Sequence, residues 1–336
     1  MTWNSWRKSI ALAKERMGDV GKWKVNMKSR LMTTRIWLIL STGAVSLGLL
    51  ASPDAAQEGP ARPPITGIAR VQIYVTESGK ALAFYEKGLG FTDASSGCAE
   101  QIAACLVINN RQQIQLINAP SPVPDCLIAK VAFATTDVEK MRRYLAAKGY
   151  SPNPIAASDD GVKHFTLRDP EGHAVSFVQM QPPPAVNKAP AQISARLIHA
   201  GFIVHDRQAE DHFYKDVLGF HLYWQGGMRD NETNWVSMQV PDGTDWIEYM
   251  LNVAPDASHH VIGIMNHIAL GVPDIQTAKQ EFLKNGGKPG EEPKLGRDGK
   301  WQLNLYDPDD TRVEFMEFAP KEKPCCSEYT GTHPTP

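Results

Sequence analysis

Phe84-Tyr85-Glu86-Lys87-Gly88-Leu89-Gly90-Phe91 returns 129 residues later as Phe213-Tyr214-Lys215-Asp216-Val217-Leu218-Gly219-Phe220, one FYxxxLGF pattern written twice. A second echo accompanies it: Asp169-Pro170-Glu171-Gly172 is answered by Asp307-Pro308-Asp309-Asp310. A period near 130 residues is too long for a solenoid repeat and identifies a duplicated domain. The stretch from Pro182-Pro183-Pro184 to Pro190 lies between the copies and reads as a semi-rigid linker.

Each copy divides again. Arg70 to Val75 alternates like a strand, Ala81 to Lys87 is helical, and Cys105 to Ile108 and Gln113 to Ile117 are β-rich. The same order recurs: a strand from Ala129 to Ala134, a helix from Asp137 to Ala147 with Asp137 as N-cap and Gly149 as stop, then strands His164 to Leu167 and Ala174 to Met180 around the Asp-Pro-Glu-Gly turn. The C-terminal copy repeats this from Leu197 to Leu251 and from Asn266 to Phe318. Four βαβββ units therefore make up the chain.

This arrangement resembles the vicinal oxygen chelate superfamily, which includes glyoxalase I, bleomycin-resistance proteins and extradiol dioxygenases, over about residues 65 to 320. The resemblance implies an α+β fold of two tandem domains, each a pair of βαβββ units forming a cupped mixed sheet. It also implies a divalent metal at the base of a cup, held by the first and last strands of each unit. The expected organisation is a leader (1–57), a linker (58–64), a metal-free domain (65–181), the Pro-rich linker (182–192), a metal-binding domain (193–320) and a flexible tail (321–336).

Carried onto the C-terminal copy, the four ligand positions hold His199, Glu248, His267 and Glu314. Two imidazoles and two carboxylates suit one divalent ion among Ni, Zn, Co, Mn and Fe(II). Strand alternation supports a shared face: Ile268, Leu270 and Val272 point one way, and His267, Ala269 and Gly271 the other, with small residues leaving space for a ligand. Trp246 shares the parity of Glu248 and is expected to wall the cup and contact substrate. In the N-terminal copy the same positions hold Arg70, Gln115, Lys130 and Ser176, which cannot ligate a divalent metal.

The two-Glu set resembles glyoxalase I, as does His267-Ile268-Ala269-Leu270-Gly271-Val272-Pro273-Asp274; Asn252, four residues after Glu248, matches a family position that contacts the thiol cofactor. The implied function is a metal-dependent lyase or isomerase acting on a small substrate with vicinal oxygens through an enediolate-type intermediate, with Glu314 or Glu248 moving the proton. The alternative is an Fe(II) extradiol-type dioxygenase. That family carries a further His between its last two ligands and a Tyr ten residues before the final Glu; this chain has no His there, Asn304 at the Tyr position and Tyr306 two residues on. A third reading is a metal-containing binding or resistance protein.

Composition sets the remaining bounds. With 35 Lys and Arg against 37 Asp and Glu, the chain lacks the basic footprint of a nucleic-acid binder, so the expected partner is a small molecule. Ile36 to Leu50 is uncharged, follows Lys28, Arg30 and Arg35, and precedes small residues, the layout of a secretory leader. Export without permanent membrane insertion is expected; an uncleaved leader acting as an anchor is the alternative. Five cysteines are too few and scattered for a disulfide framework, and Cys325-Cys326 falls in the tail expected to be structureless.

Overall fold

The computed structural model describes residues 60–94, 102–158, 161–179 and 188–336; the leader, Cys98 and residues 182–187 of the Pro-rich linker lie outside them. The N-terminal copy contains β1 (Ile65–Val75), β2 (Thr92–Asp93), β3 (Ile102–Val107), β4 (Gln113–Asn118), β5 (Ile128–Thr135), β6 (Ala156–Ala157), β7 (Lys163–Arg168) and β8 (Ala174–Gln179). The C-terminal copy contains β9 (Arg196–Ile203), β10 (His221–Gly226), β11 (Trp235–Gln239), β12 (Trp246–Met250), β13 (His267–Val272), β14 (Lys294–Leu295), β15 (Trp301–Tyr306) and β16 (Arg312–Glu317). Each copy forms an eight-stranded mixed sheet, in the orders β2-β3-β4-β1-β5-β8-β7-β6 and β10-β11-β12-β9-β13-β16-β15-β14. The fold is α+β, two tandem domains of two βαβββ units each. In each sheet the first and last strands of a unit pair in parallel, and the two units join through antiparallel first strands.

The opening motif is a helix terminus. Helix Ser78–Leu82 runs into a wider π-type turn, Ala83–Gly88, and helix Arg207–Asp211 does the same over His212–Val217. Gly90 then takes φ +80° and Gly219 φ +78°. The Phe91 amide donates to the Tyr85 carbonyl (3.2 Å) and the Phe220 amide to that of Tyr214 (2.8 Å), six residues back, which closes the helix end over a left-handed glycine. Asp137 accepts from the Lys140 amide at 2.8 Å and caps helix Val138–Ala147; Gly149, at φ +89°, ends it.

The aromatic residues of that motif reach across the copies. Phe84 packs on Phe282 and Phe213 on Tyr150, while Phe220 sets its edge against Phe133. The Tyr85 hydroxyl donates to Asp307 and the Tyr214 hydroxyl to Asp169, both at 3.1 Å, so the two sequence echoes touch one another reciprocally. One continuous apolar core consequently runs through both copies.

The tail departs from expectation. Cys325 and Cys326 are joined as a disulfide, Trp224 Nε1 donates to the Cys325 carbonyl (3.2 Å), the Gln225 amide to Ser327 (3.0 Å), and the Thr330 amide to the Tyr223 carbonyl (3.0 Å). The Tyr329 ring lies tilted against that of Tyr223, 4.7 Å between centroids. β10 is a sheet edge, and the tail satisfies polar groups an edge leaves open, so it is packed and not loose. Among the described residues no helix is long and apolar enough to cross a membrane.

The paired glycines give a stability test. A Cβ at Gly90 would lie 2.0 Å from the Ala191 carbonyl oxygen, whereas at Gly219 it would meet only the Arg62 guanidinium at 3.3 Å. Both substitutions carry left-handed strain, but only one meets fixed backbone. Urea denaturation should show Gly219→Ala losing about 1 kcal/mol and Gly90→Ala roughly 3 kcal/mol or more.

Candidate metal centre

The four expected ligands stand on the four central strands of the C-terminal sheet. Cross-strand pairing arranges them in two neighbouring rows of one face: Glu248 opposes Gly201, which opposes His267; Trp246 opposes His199, then Ala269, then Glu314. Each row puts a residue with little or no side chain between two ligands. Gly201 is required there, because a Cβ would fall 2.1 Å from His267 Cε1.

The ligand atoms converge. His199 Nε2 and His267 Nε2 are 3.0 Å apart, Glu248 Oε2 lies 3.4 Å from His267 Nε2, and Glu314 Oε2 lies 3.8 Å from His267 Nε2 and 3.9 Å from His199 Nε2. Both imidazoles are fully buried, and burial holds their pKa values well below the usual histidine range, so both are neutral. His267 Nδ1 is 2.9 Å from the Met265 carbonyl, a partner that only a protonated Nδ1 can use, which leaves Nε2 with its lone pair directed inward. Two neutral ring nitrogens facing each other beside two carboxylates form a donor set that a divalent cation completes. Burial raises the Glu314 carboxyl to about 7, with Arg312 pulling down and Glu248 and Asp298 pushing up.

Other expected residues fare differently. Trp246 is buried, with its ring 4.8 Å from that of His199. Asn252 does not enter the cup: β12 ends at Met250, Asn252 turns out at φ 61°, and its amide donates to the Thr233 carbonyl at 2.9 Å. The space beside Gly271 is already taken, since a Cβ there would sit 2.2 Å from Phe318. Tyr306 faces the cup in the row of His267, but its hydroxyl donates to Glu291 at 2.7 Å.

Two residues of the site, Lys300 and Ser237, were missed from sequence. Lys300 is fully buried, its Nζ stands 4.8 Å over the Trp246 ring and 3.3 Å from the Tyr223 hydroxyl, and burial lowers it to about 8 against the pull of Asp298, Glu314 and Glu248. It shares parity with Gln302 and Asn304, the latter opposite Glu314, so the alternation of β15 extended one residue before the strand carried the signal. Ser237 of β11 stands opposite Glu248 and donates to it at 3.3 Å.

The N-terminal copy keeps the frame and loses the ligands. Gln115, Gln72 and Lys130 form one row, and Arg70, Ala132 and Ser176 lie in the next, in the register of the C-terminal site. Gln72 stands where Gly201 stands and donates to Gln115 at 2.9 Å; Ser176 donates to the Phe165 carbonyl at 2.7 Å.

Fold and site together define a duplicated, cupped-sheet protein with a buried two-His, two-carboxylate centre in one cup. The chain belongs to the Glyoxalase/Bleomycin resistance protein/Dioxygenase superfamily, whose signature matches residues 67–177 and 196–315. No curated protein matches it. Among solved structures it is similar to homoprotocatechuate 2,3-dioxygenase from Arthrobacter globiformis (18% identity, 76% of this chain and 80% of that one, TM-score 0.59). The substrate complex of the Brevibacterium fuscum homoprotocatechuate 2,3-dioxygenase is also similar (19% identity, 76% and 82%, TM-score 0.56).

A pH dependence follows from the buried carboxyl. Ligation requires Glu314 ionised, and its protonated form dominates below about 7. The histidines, being neutral, do not compete over that range. Titration with Zn²⁺ should therefore show affinity falling about tenfold per unit below pH 7 and levelling above it, and Glu314→Gln should abolish the slope.

Proposed function

We propose that this protein is a divalent-metal-dependent enzyme of glyoxalase type, a lyase or isomerase acting on a small substrate with two adjacent oxygens. The observation that carries this reading is Glu248: its carboxylate lies 3.4 Å from His267 Nε2, which gives the cluster a second carboxylate. The metal, held by His199, His267, Glu314 and Glu248, would supply Lewis acidity toward both substrate oxygens. One carboxylate would hold the centre while the other would take the proton from a carbon bearing one of those oxygens and return it to the adjacent carbon. Glu248, with its side chain 13% exposed, is the ligand at the accessible edge, whereas Glu314 is buried. Lys300 places positive charge one aromatic ring away from His199, where charge on the substrate oxygens would be stabilised. Export belongs to the same proposal, supported by the leader's layout and by the bonded Cys325-Cys326 pair.

A second reading, an Fe(II) extradiol-type dioxygenase, is favoured by the similarity of the fold to the homoprotocatechuate 2,3-dioxygenases. The two readings part on oxygen. Hydroxyketone and 2-oxoaldehyde–thiol adduct substrates incubated in D₂O should exchange the carbon-bound proton without oxygen uptake. Glu248→Gln and Glu314→Gln should each slow that exchange by about 10²-fold or more, unequally, the proton carrier suffering most. Oxygen uptake with catechols on an iron-loaded sample, with no exchange, would transfer the protein to the second reading; equal full activity in both Gln variants would end the first. Lys300→Met should lower kcat/KM roughly 10²-fold while leaving the metal content unchanged.

A further inference from the structure

The Asp-Pro-Glu-Gly turn of the N-terminal copy meets helix Arg207–Asp211 of the C-terminal copy at a buried cluster separate from the central ligands. Asp169, His173 and Glu210 each offer a ligand atom, and these atoms lie within 4.8 Å of one another. The Asp169 side chain and the whole of Glu210 are 0% exposed; the His173 side chain, at 16%, forms the edge toward solvent. Asp169 is held by the His173 amide (2.8 Å) and the Tyr214 hydroxyl (3.1 Å), and His173 Nδ1 is 2.8 Å from its Oδ2.

Glu210 is the anomaly. Its Oε1 accepts from the Glu171 amide at 2.9 Å, but its Oε2 is buried with no partner. Among the described residues no Lys or Arg pairs with Asp169 or Glu210. A proton does not resolve this: an O–H at Oε2 would still have nothing to donate to. The Tyr249 hydroxyl, which feels the charge of both Glu210 and Asp169, is likewise buried without a partner. A polar group that deep costs free energy unless something compensates it.

The duplication provides an internal control. At the equivalent junction, Asp307 accepts from Tyr85 as Asp169 does from Tyr214, but Thr311 stands in the place of His173 and Ala81 in that of Glu210. The interdomain contact thus forms without an imidazole and without a second acid. One junction carries two extra ligand-type residues, one of which is unsatisfied there.

We propose that Asp169, His173 and Glu210 form a second divalent-cation site, for an ion of the zinc or manganese class, joining the two copies. One imidazole and two carboxylates suit such an ion, and it would give Glu210 Oε2 the partner it lacks. Because the ligands come from both copies, binding would tie them together. Absent the ion, burial and Asp169 push the Glu210 carboxyl up to about 9.

The test uses the full chain, stripped with chelator and dialysed against Zn²⁺, with metal counted by inductively coupled plasma mass spectrometry. Wild type should hold two equivalents, His199→Ala/His267→Ala one, and the latter with Glu210→Ala none. Glu210→Ala installs the residue the other junction already uses, and His173→Ala, at the solvent edge, serves as a second variant with little folding risk; each should weaken zinc binding in the double-variant background by roughly 100-fold or more. In that background zinc should also raise the Tm, and either substitution should cancel the rise. Failure of the double variant to bind zinc, or binding unchanged by both Glu210→Ala and His173→Ala, would overturn the proposal. Loss of the central equivalent alone is read separately, so the function proposed above and this site can fail independently.

Discussion

The antiparallel pairing of β9 with β13 is the contact on which the site depends. It brings the first strands of two βαβββ units side by side, with His267 opposite Gly201 and His199 opposite Ala269. A shift of one residue would send both imidazoles into the apolar core. The parallel pairs β9/β12 and β13/β16 then add Glu248 to one row and Glu314 to the other. The centre is therefore a property of the sheet as much as of its residues, and Gly201 is part of it because the His267 ring occupies the volume its side chain would take.

The same frame explains how one half could lose the site and keep the fold. Ile73 and Val71 in β1, like Leu270 and Ile268 in β13, point into the shared core and hold the sheets. The opposite face is free to change. There Gln72 replaces the glycine and fills the gap with an amide bonded to Gln115, and burial beside Arg70 lowers the pKa of Lys130. Cationic and amide groups at those positions are compatible with the β-sheet but not with a divalent ion. Fold likeness to dioxygenases at 18% identity fixes the scaffold and leaves the chemistry to the concave residues.

Local periodicity made much of this legible. FYxxxLGF reads as a repeat because its helix end needs a left-handed glycine and its aromatics need the other copy's core; the four candidate ligand positions came from the family resemblance, and alternation in β13, which separates His267 from Ile268, supported a shared face. What was illegible depends on contacts that no period encodes. Asn252 looks well placed by count, yet its strand has ended and the chain has turned. The tail carries no strand pattern and is ordered by bonding along β10. Gly271 looked like room for a ligand because Phe318, which fills that room, lies 47 positions away in the chain.

Charge balance in the cup narrows what can bind there. Glu248, Glu314 and Asp298 face Lys300 and Arg312, the groups that act most directly on Glu314 and Lys300. Three carboxylates against two cations leave the cup one charge negative when all are ionised. Burial is the larger cause of both shifts: it raises Glu314 to about 7, where Glu248 and Asp298 add to it, and it lowers Lys300 to about 8 against the pull of Asp298, Glu314 and Glu248. On the proposed reading a divalent ion turns the surplus to one positive charge, with Glu314 ionised and Lys300 kept protonated only by the carboxylates around it. A ligand carrying a single negative charge on its chelating oxygens restores neutrality, whereas a neutral one leaves a buried positive charge uncompensated. On that reading the cup is matched to a substrate that is an oxyanion when bound, or that becomes one as its proton departs.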